Sequence, residues 1–143
     1  MKRRLLNLSG VVAAVLIVGW LAGCGNSAAM NESTANVKHI TGSDFPAEVM
    51  QSPLPVVVDF YATWCGPCRR LAPRLDRLAG TFTNRVKFLK VNIDESSALA
   101  QQFQFQAIPT VIIFKNGRVV DRMLGLPDEE AFKKQLAALA AGK

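Results

Sequence analysis

The chain has 143 residues, half of them hydrophobic, which suffices for one compact domain and is too few for two of ordinary size. Its formal charge of +6 falls to +3 when Lys2, Arg3 and Arg4 are set aside as part of a leader, because 14 basic residues then face 11 acidic ones. So small an excess argues against a nucleic-acid partner, which requires a clustered basic face.

The three cysteines differ in their surroundings. Cys24 closes an apolar N-terminal run, whereas Cys65 and Cys68 form an isolated C-x-x-C pair. A structural zinc site normally needs four ligands, and the chain adds only His39, in a different segment. We therefore expect neither a metal nor another cofactor.

Residues 1–24 have the three-part layout of a secretory signal. A positive start is followed by an apolar stretch from Leu5 to Trp20 and by Leu21-Ala22-Gly23-Cys24. The stretch is also nearly long enough to cross a bilayer, so an uncleaved transmembrane helix is the alternative. Either interpretation predicts that the rest of the chain lies outside the cytoplasm.

The ending Leu-Ala-Gly-Cys resembles the lipobox of bacterial lipoproteins. This resemblance implies cleavage after a signal peptide of residues 1–23 and attachment of lipid to Cys24. Two or more acyl chains anchor a protein stably where one is marginal. Residues 24–36 then comprise the lipidated cysteine and a flexible, small and polar tether, and residues 37–143 form the folded domain.

The first half of the domain contains two strand candidates and a helix. Val37 to Ile40 is a short strand candidate, and Ser43-Asp44 resembles a capped helix start that Pro53 and Pro55 close. Val56 to Tyr61 is a β-branched and aromatic run, typical of a strand covered on both faces.

The second half alternates helices and strands. After the cysteine pair, apolar residues recur at helical spacing from Leu71 to Phe82. The later candidates are a strand at Val86 to Ile93, a helix at Ala98 to Phe103, strands at Thr110 to Phe114 and Arg118 to Leu124 joined by an Asn116-Gly117 hairpin, and a helix after Asp128. This alternation predicts an α/β fold with a mixed, mostly parallel sheet and helices on both faces.

Cys65 and Cys68 lie three residues apart at the start of the first long helix, near the spacing that a disulfide requires. The unpaired N–H groups of a helix start stabilise a thiolate, so the pKa of Cys65 should be depressed. Gly66 and Pro67 separate the cysteines, and Pro67 suits a first turn. The pair thus offers an attacking and a resolving sulfur. A static structural disulfide or two idle thiols are the alternative.

The segment Trp64-Cys65-Gly66-Pro67-Cys68 resembles the active site of thioredoxins. The likeness covers nearly all of residues 37–140. Further matches in order and spacing are Val56 to Tyr61, Lys90 to Asp94, Ile108-Pro109-Thr110, Phe114 to Gly117, and Gly125. The resemblance implies a thioredoxin fold, a central mixed β-sheet flanked by helices on both faces, and thiol–disulfide exchange with disulfide-containing proteins.

Asp59 is an acidic residue inside an apolar strand, where a carboxyl group is costly unless it is paired or used. Desolvation should raise its pKa. The resemblance implies that this carboxyl lies beneath the cysteines and moves a proton on or off Cys68, with Lys90 as its charge partner. An aspartate at a strand end that faces solvent is the alternative.

The Ile108-Pro109 bond should be trans on the residues alone, because only about 5–6% of such bonds in folded proteins are cis. The resemblance implies instead a cis bond, with the Ile108 backbone placed to pair with an extended substrate segment. Trp64, Ala107 and Gly125 would border a shallow apolar contact surface there. A core position is the alternative for Trp64.

Two features depart from the family pattern or lie outside it. Tyr61 stands where many thioredoxins have tryptophan, which could alter the packing behind the motif but not the sulfur chemistry. Arg70, Arg74 and Arg77 share one face of a helix. We expect a solvated face, with attraction to acidic partners or phospholipid head groups as the alternative.

The Gly-Pro pair between the cysteines resembles the reducing members of the family. We therefore expect a lipid-anchored, periplasm-facing protein-disulfide reductase of the cell envelope, supplied with electrons by a membrane thiol carrier. The alternatives are a disulfide oxidase or isomerase, and a non-enzymatic client-binding or assembly module that uses the surface at Pro109.

Overall fold

The computed structural model describes residues 36–125 and 127–142. The expected signal peptide, Cys24 and most of the tether lie outside these residues. The elements are β1 Lys38–His39, a π-helical turn Pro46–Met50, β2 Val56–Tyr61, α1 Gly66–Thr81, β3 Lys87–Asn92, α2 Ser97–Gln102, β4 Thr110–Lys115, β5 Arg118–Leu124 and α3 Glu129–Ala140.

The strands form one five-stranded sheet in the order β1-β3-β2-β4-β5. β3 pairs in parallel with both β1 and β2, whereas β4 pairs antiparallel with both β2 and β5. The predicted mixed sheet is confirmed, but the expectation of a mostly parallel sheet is wrong.

The place where the chain re-enters the sheet accounts for this difference. β3 ends beside the end of β2, where Asn92 pairs with Tyr61. After α2 the chain enters β4 at this same end of β2, where Thr110 pairs with Phe60, and so runs antiparallel to β2.

The central strand β2 is buried along its whole length, as its continuous apolar run predicts. On one face, Val57 packs with residues of α1 and α3, including Leu75 and Leu136. On the other face, Val58 packs with Leu99 of α2 and with side chains near the π-helical turn. Helices thus cover both faces of the sheet. The described residues contain a hydrophobic core on each face, and a core of its own is what a domain needs to fold independently.

A cluster of phenylalanines fills the α2 face of the sheet. The ring centroids of Phe45, Phe60, Phe103, Phe105 and Phe114 lie 4.4–6.3 Å from those of their neighbours, within the range of favourable aromatic pairs. This cluster anchors α2 and the loop after it to the sheet.

The first helix begins close to where the sequence predicts, since the Asp44 carbonyl accepts a hydrogen bond from the N–H of Glu48 at 2.9 Å. The Asp44 carboxylate accepts hydrogen bonds from the backbone N–H and the hydroxyl of Thr41, at 2.9 and 2.7 Å, and does not cap the helix. The helix itself is short and amounts to a single π-helical turn.

The predicted hairpin between β4 and β5 is confirmed. Asn116 and Gly117 both have positive φ, at 53° and 71°, as a two-residue turn between twisted strands requires. A Cβ on Gly117 would lie 2.7 Å from the carbonyl oxygen of Met50, so this turn also packs closely against the π-helical turn. β5 is an outer strand, and its residues Val119 and Val120 are each 47% exposed.

In the part of the chain that the structure describes, no helix combines the length and the apolar character needed to cross a bilayer.

Candidate active site

The cysteine pair lies where β2 passes into α1. Cys65 immediately precedes the helix in an extended conformation, and its Sγ accepts a hydrogen bond from the backbone N–H of Cys68 at 3.2 Å. The sulfur therefore occupies the place that a serine or aspartate oxygen takes in an ordinary helix cap. The two cysteines form a disulfide, with Cα atoms 5.3 Å apart, so the structure represents the oxidised form.

The helix start suits a sulfur anion at Cys65. An N–H that already points at Sγ makes a stronger bond when the sulfur is ionised, and the partial positive charge of the helix start adds to this. Pro67 lies in the first turn and has no N–H that would need a partner. Reduction of the disulfide thus leaves Cys65 in a position that favours its thiolate.

Both cysteines are buried and form a small apolar cluster with Tyr61 and Ala62. Ile93 and Ile108 pack against this cluster from the ends of neighbouring segments. Cys68 sits one turn into the helix, within this apolar environment, which disfavours a thiolate. The two thiols are therefore expected to differ in acidity.

Asp59 and Lys90 face each other across the two central strands. The register of β2 and β3 pairs these residues directly, and they are only 4% and 8% exposed. Since side chains alternate along a strand, Asp59 shares the α1 face with Val57 and with Tyr61 of the cysteine cluster. The solvent-facing alternative for Asp59 is wrong, and its position fits the carboxyl expected beneath the cysteines.

Tyr61 links the buried lysine to the cysteines. The Lys90 Nζ lies 5.6 Å from the centroid of the Tyr61 ring, within the range of cation–π contacts. The ring also meets His39 edge-on, with centroids 6.3 Å apart. Tyr61, the residue that departs from the family pattern, thus packs against the cysteines.

The Ile108–Pro109 bond is cis. The trans bond expected from the residues alone is wrong, and the cis bond implied by the family resemblance is confirmed. The Pro109 carbonyl accepts a hydrogen bond at 2.8 Å from the N–H of Gly125, which has a φ of 76°. Because Ile108 packs against the cysteine cluster, this loop lies beside the disulfide.

Trp64 lies on the surface next to the cysteines and is 67% exposed, so the core alternative is wrong. Its Nε1–H donates to the Asp94 carboxylate at 3.0 Å, which fixes the side of the indole that faces solvent. This contact of Asp94, an acidic residue just after β3, was not predicted, because no local sequence signal links it to Trp64. Ala107 is exposed and Gly125 partly exposed, in keeping with a contact surface.

The arginine face of α1 is only partly solvated. The Arg74 side chain donates to the Glu129 carboxylate and to the Pro127 carbonyl, each at 2.9 Å, and Arg77 approaches Glu129 at 3.7 Å. The expectation of a solvated face is therefore wrong for Arg74, which ties α1 to the start of α3. Arg70 remains exposed.

In residues 36–125 and 127–142, no group of histidine, cysteine or acidic side chains is arranged to hold a metal ion.

Residues 36–138 match the family model for thioredoxin. The chain is 46% identical over 86 residues to thioredoxin 1 of Synechococcus elongatus, and this alignment covers 60% of this chain and 80% of that protein. It is 44% identical over 91 residues to the thioredoxin of Haemophilus influenzae, with 64% of this chain and 85% of the relative aligned. It is 42% identical over 95 residues to the thioredoxin of Rickettsia prowazekii, with 66% of this chain and 90% of the relative aligned.

We predict that the pKa of Cys65 in the reduced protein lies below that of an ordinary thiol and below that of Cys68, because only Cys65 caps the helix. Thiolate absorbance followed against pH in the Cys65→Ser and Cys68→Ser variants measures each thiol separately. Equal acidity of the two thiols would contradict the expected effect of the helix start.

Proposed function

The chain belongs to the thioredoxin family and is a thiol–disulfide oxidoreductase, and we propose that it acts as an extracytoplasmic, membrane-anchored reductase of protein disulfides. The observation that carries the chemistry is the position of Cys65 Sγ as the cap of α1, with Cys68 one turn away. This arrangement supplies an activated nucleophile and a second sulfur within reach of it.

The first step is attack by the Cys65 thiolate on a substrate disulfide. A bond forms between Cys65 Sγ and one substrate sulfur, the substrate disulfide breaks, and the other substrate sulfur leaves as a thiolate that takes a proton from solvent. The hydrogen bond from the Cys68 N–H and the helix start stabilise Cys65 before attack.

The second step releases the substrate. Asp59 takes the proton from the Cys68 thiol, and the resulting thiolate attacks Cys65 Sγ, so that the mixed disulfide breaks and the substrate leaves fully reduced. Lys90, paired with Asp59 in register, offsets the negative charge of this carboxyl while it is ionised. The product is the Cys65–Cys68 disulfide of the structure.

The substrates are disulfide-containing proteins, and the surface beside the disulfide suits an extended segment of them. Ile108 packs against the cysteine cluster just before Pro109, and Trp64, the residue before Cys65, is exposed. Backbone pairing at Ile108 would hold the substrate strand, and the apolar surface bordered by Trp64, Ala107 and Gly125 would admit varied side chains. Such a surface accepts many sequences, as a general reductase requires.

The direction of transfer is inferred from the Gly66-Pro67 pair between the cysteines. Family members on this fold range from about −270 mV for thioredoxin to about −120 mV for a periplasmic oxidant. Outside the cytoplasm a reductase lacks soluble NADPH, so we infer that a membrane thiol carrier reduces the Cys65–Cys68 disulfide after each cycle.

The extracytoplasmic location is inferred from residues 1–24, which lie outside the described residues. The basic start, the apolar stretch and the Leu-Ala-Gly-Cys ending support export and lipidation at Cys24. Residues 25–36 would hold the domain at a distance from the membrane surface.

Replacement of Asp59 by alanine should slow resolution of the mixed disulfide by at least about tenfold, since positioned acid–base groups contribute about 10²–10⁴-fold and solvent replaces part of this. The first attack should change little. Rapid-quench trapping of the mixed disulfide measures both rates, with the exposed Glu130→Ala as the matched control. An unchanged rate of resolution would remove the proposed role of Asp59.

The reduced domain should reduce insulin disulfides, and the potential of the Cys65–Cys68 couple should lie closer to about −270 mV than to about −120 mV. Equilibration with glutathione or a reference thioredoxin measures the potential. A value near that of the oxidant would overturn the reductase direction while leaving the exchange chemistry intact. Full complementation of a deletion strain by a Cys65→Ser, Cys68→Ser double variant would instead favour a non-enzymatic binding role.

The Cys24→Ser variant should accumulate as an unlipidated precursor, because the acceptor thiol is lost. Metabolic labelling with a fatty acid, together with the mobility of the full-length chain on a gel, measures this. Normal processing of the variant would rule out the proposed lipid anchor, and the Cys65→Ser variant serves as the matched control.

A further inference from the structure

A cavity of about 320 Å³ opens on the α2 face of the sheet, between the π-helical turn and α2. It lies on the face of the sheet opposite to α1 and the cysteines. Its volume falls at the lower end of the roughly 300–1,000 Å³ found for small-molecule sites. Its walls are mainly apolar and are formed by Phe45, Pro46, Met50, Ala98 and Leu99, with Gly42, Ser96 and Gln102 completing the lining.

Ser96 lies in the wall of this cavity and has a buried hydroxyl group. The residue is 6% exposed, and its Oγ has no hydrogen-bond partner among the residues that the structure describes. It precedes α2 in the place of a helix cap, but its side chain makes no capping bond. A buried hydroxyl without a partner destabilises the fold, so this donor is expected to serve something other than the fold.

Gly42 widens the cavity next to this hydroxyl. A Cβ at Gly42 would lie 3.6 Å from Ser96 Oγ and 4.0 Å from the Leu99 side chain, which is ordinary van der Waals contact. Its backbone is not in the left-handed region that favours glycine, unlike that of Gly117. The backbone conformation therefore leaves room for alanine, and the missing side chain enlarges the space beside the hydroxyl.

A second cavity, of about 250 Å³, offers a useful contrast. Lys38 and Lys87 in its wall both form ion pairs with Glu48, and Lys87 Nζ lies 3.1 Å from the Glu48 carboxylate. These ion pairs lower the pKa of Glu48 from its ordinary value. The charged groups of that cavity are thus paired within the fold, whereas the Ser96 hydroxyl in the first cavity has no partner among the described residues.

We propose that the cavity beside α2 binds a small, largely apolar molecule with one oxygen acceptor, and that this oxygen accepts a hydrogen bond from the Ser96 hydroxyl. The apolar walls provide most of the contact area, and the single buried donor fixes the orientation of the ligand. Met50, which is 41% exposed, lines the cavity with a flexible side chain that can adapt to the occupant. This site is separate from the proposed disulfide chemistry.

Acetophenone and ethylbenzene are suitable probes, because they share a ring and a two-carbon side chain and only acetophenone has an oxygen acceptor. In ¹H–¹⁵N NMR titrations of residues 25–143, we expect saturable shifts of the Gly42, Ser96 and Leu99 amides with both probes. In Ser96→Ala, the Kd for acetophenone should rise about three- to tenfold, and that for ethylbenzene less than about twofold. The exposed Ser97→Ala is the matched control.

Two further measurements separate a ligand site from a structural role. The Tm of Ser96→Ala should rise by a few degrees, because an unpaired buried hydroxyl is removed, whereas a fall would show that the fold uses this group. Gly42→Ala should weaken both probes by filling the cavity. Absence of saturable shifts, or an unchanged Kd for acetophenone in Ser96→Ala, would overturn the proposal. Insulin reduction should be unaffected by either variant, so the outcome does not bear on the disulfide chemistry.

Discussion

The hydrogen bond from the Cys68 N–H to Cys65 Sγ is the interaction on which the arrangement of this site depends. It makes a sulfur the cap of a sixteen-residue helix, so the same bond both begins the helix and stabilises the nucleophile. The sheet fixes where this occurs, because β2 is buried on both faces and delivers Cys65 at its end. Asp59 lies on β2 itself, and Lys90 and Pro109 are placed by β3 and β4, the two strands that pair with β2.

The residues around the disulfide come from separate segments of the chain, and a different contact holds each of them in place. Asp59 and Lys90 are opposed by strand register, which any shift of one residue would destroy. Pro109 is held by the bond from Gly125, which joins the beginning of β4 to the end of β5. Trp64 is held from outside by Asp94, just after β3. Residues on or next to the four strands β2, β3, β4 and β5 therefore contribute to the site around the disulfide.

The sequence predicts the parts of this fold that follow from short-range patterns. Val56 to Tyr61 is recognisable as a central strand because its apolar run is continuous, and Asp59 attracts notice because it interrupts that run. The hairpin at Asn116-Gly117 follows from the turn that these residues favour. Family resemblance was needed for the cis bond before Pro109, since the residues alone favour trans.

Other features depend on partners distant in sequence and had no local signal. The contact of Arg74 with Glu129 joins residues 55 positions apart, so a helical face that looked solvated proved partly engaged. The bond from the Thr41 N–H to the Asp44 carboxylate likewise had no signal in the sequence, because Asp44 read there as an ordinary helix cap. Ser96 precedes α2 in the position of a helix cap, and only the structure shows that its hydroxyl makes no capping bond.

The outer strand β5 presents a backbone edge at which another chain can pair, and charged residues of the strand oppose such pairing. It is seven residues long and exposes Val119 and Val120, and its outer edge pairs with no other strand of the described residues, so it resembles a template for pairing with another chain. Arg118 and Arg122 are exposed on the same strand, and a neighbouring strand that docked there would have to desolvate both guanidinium groups. We therefore expect these charges to oppose self-association, so that their loss promotes aggregation without altering the core.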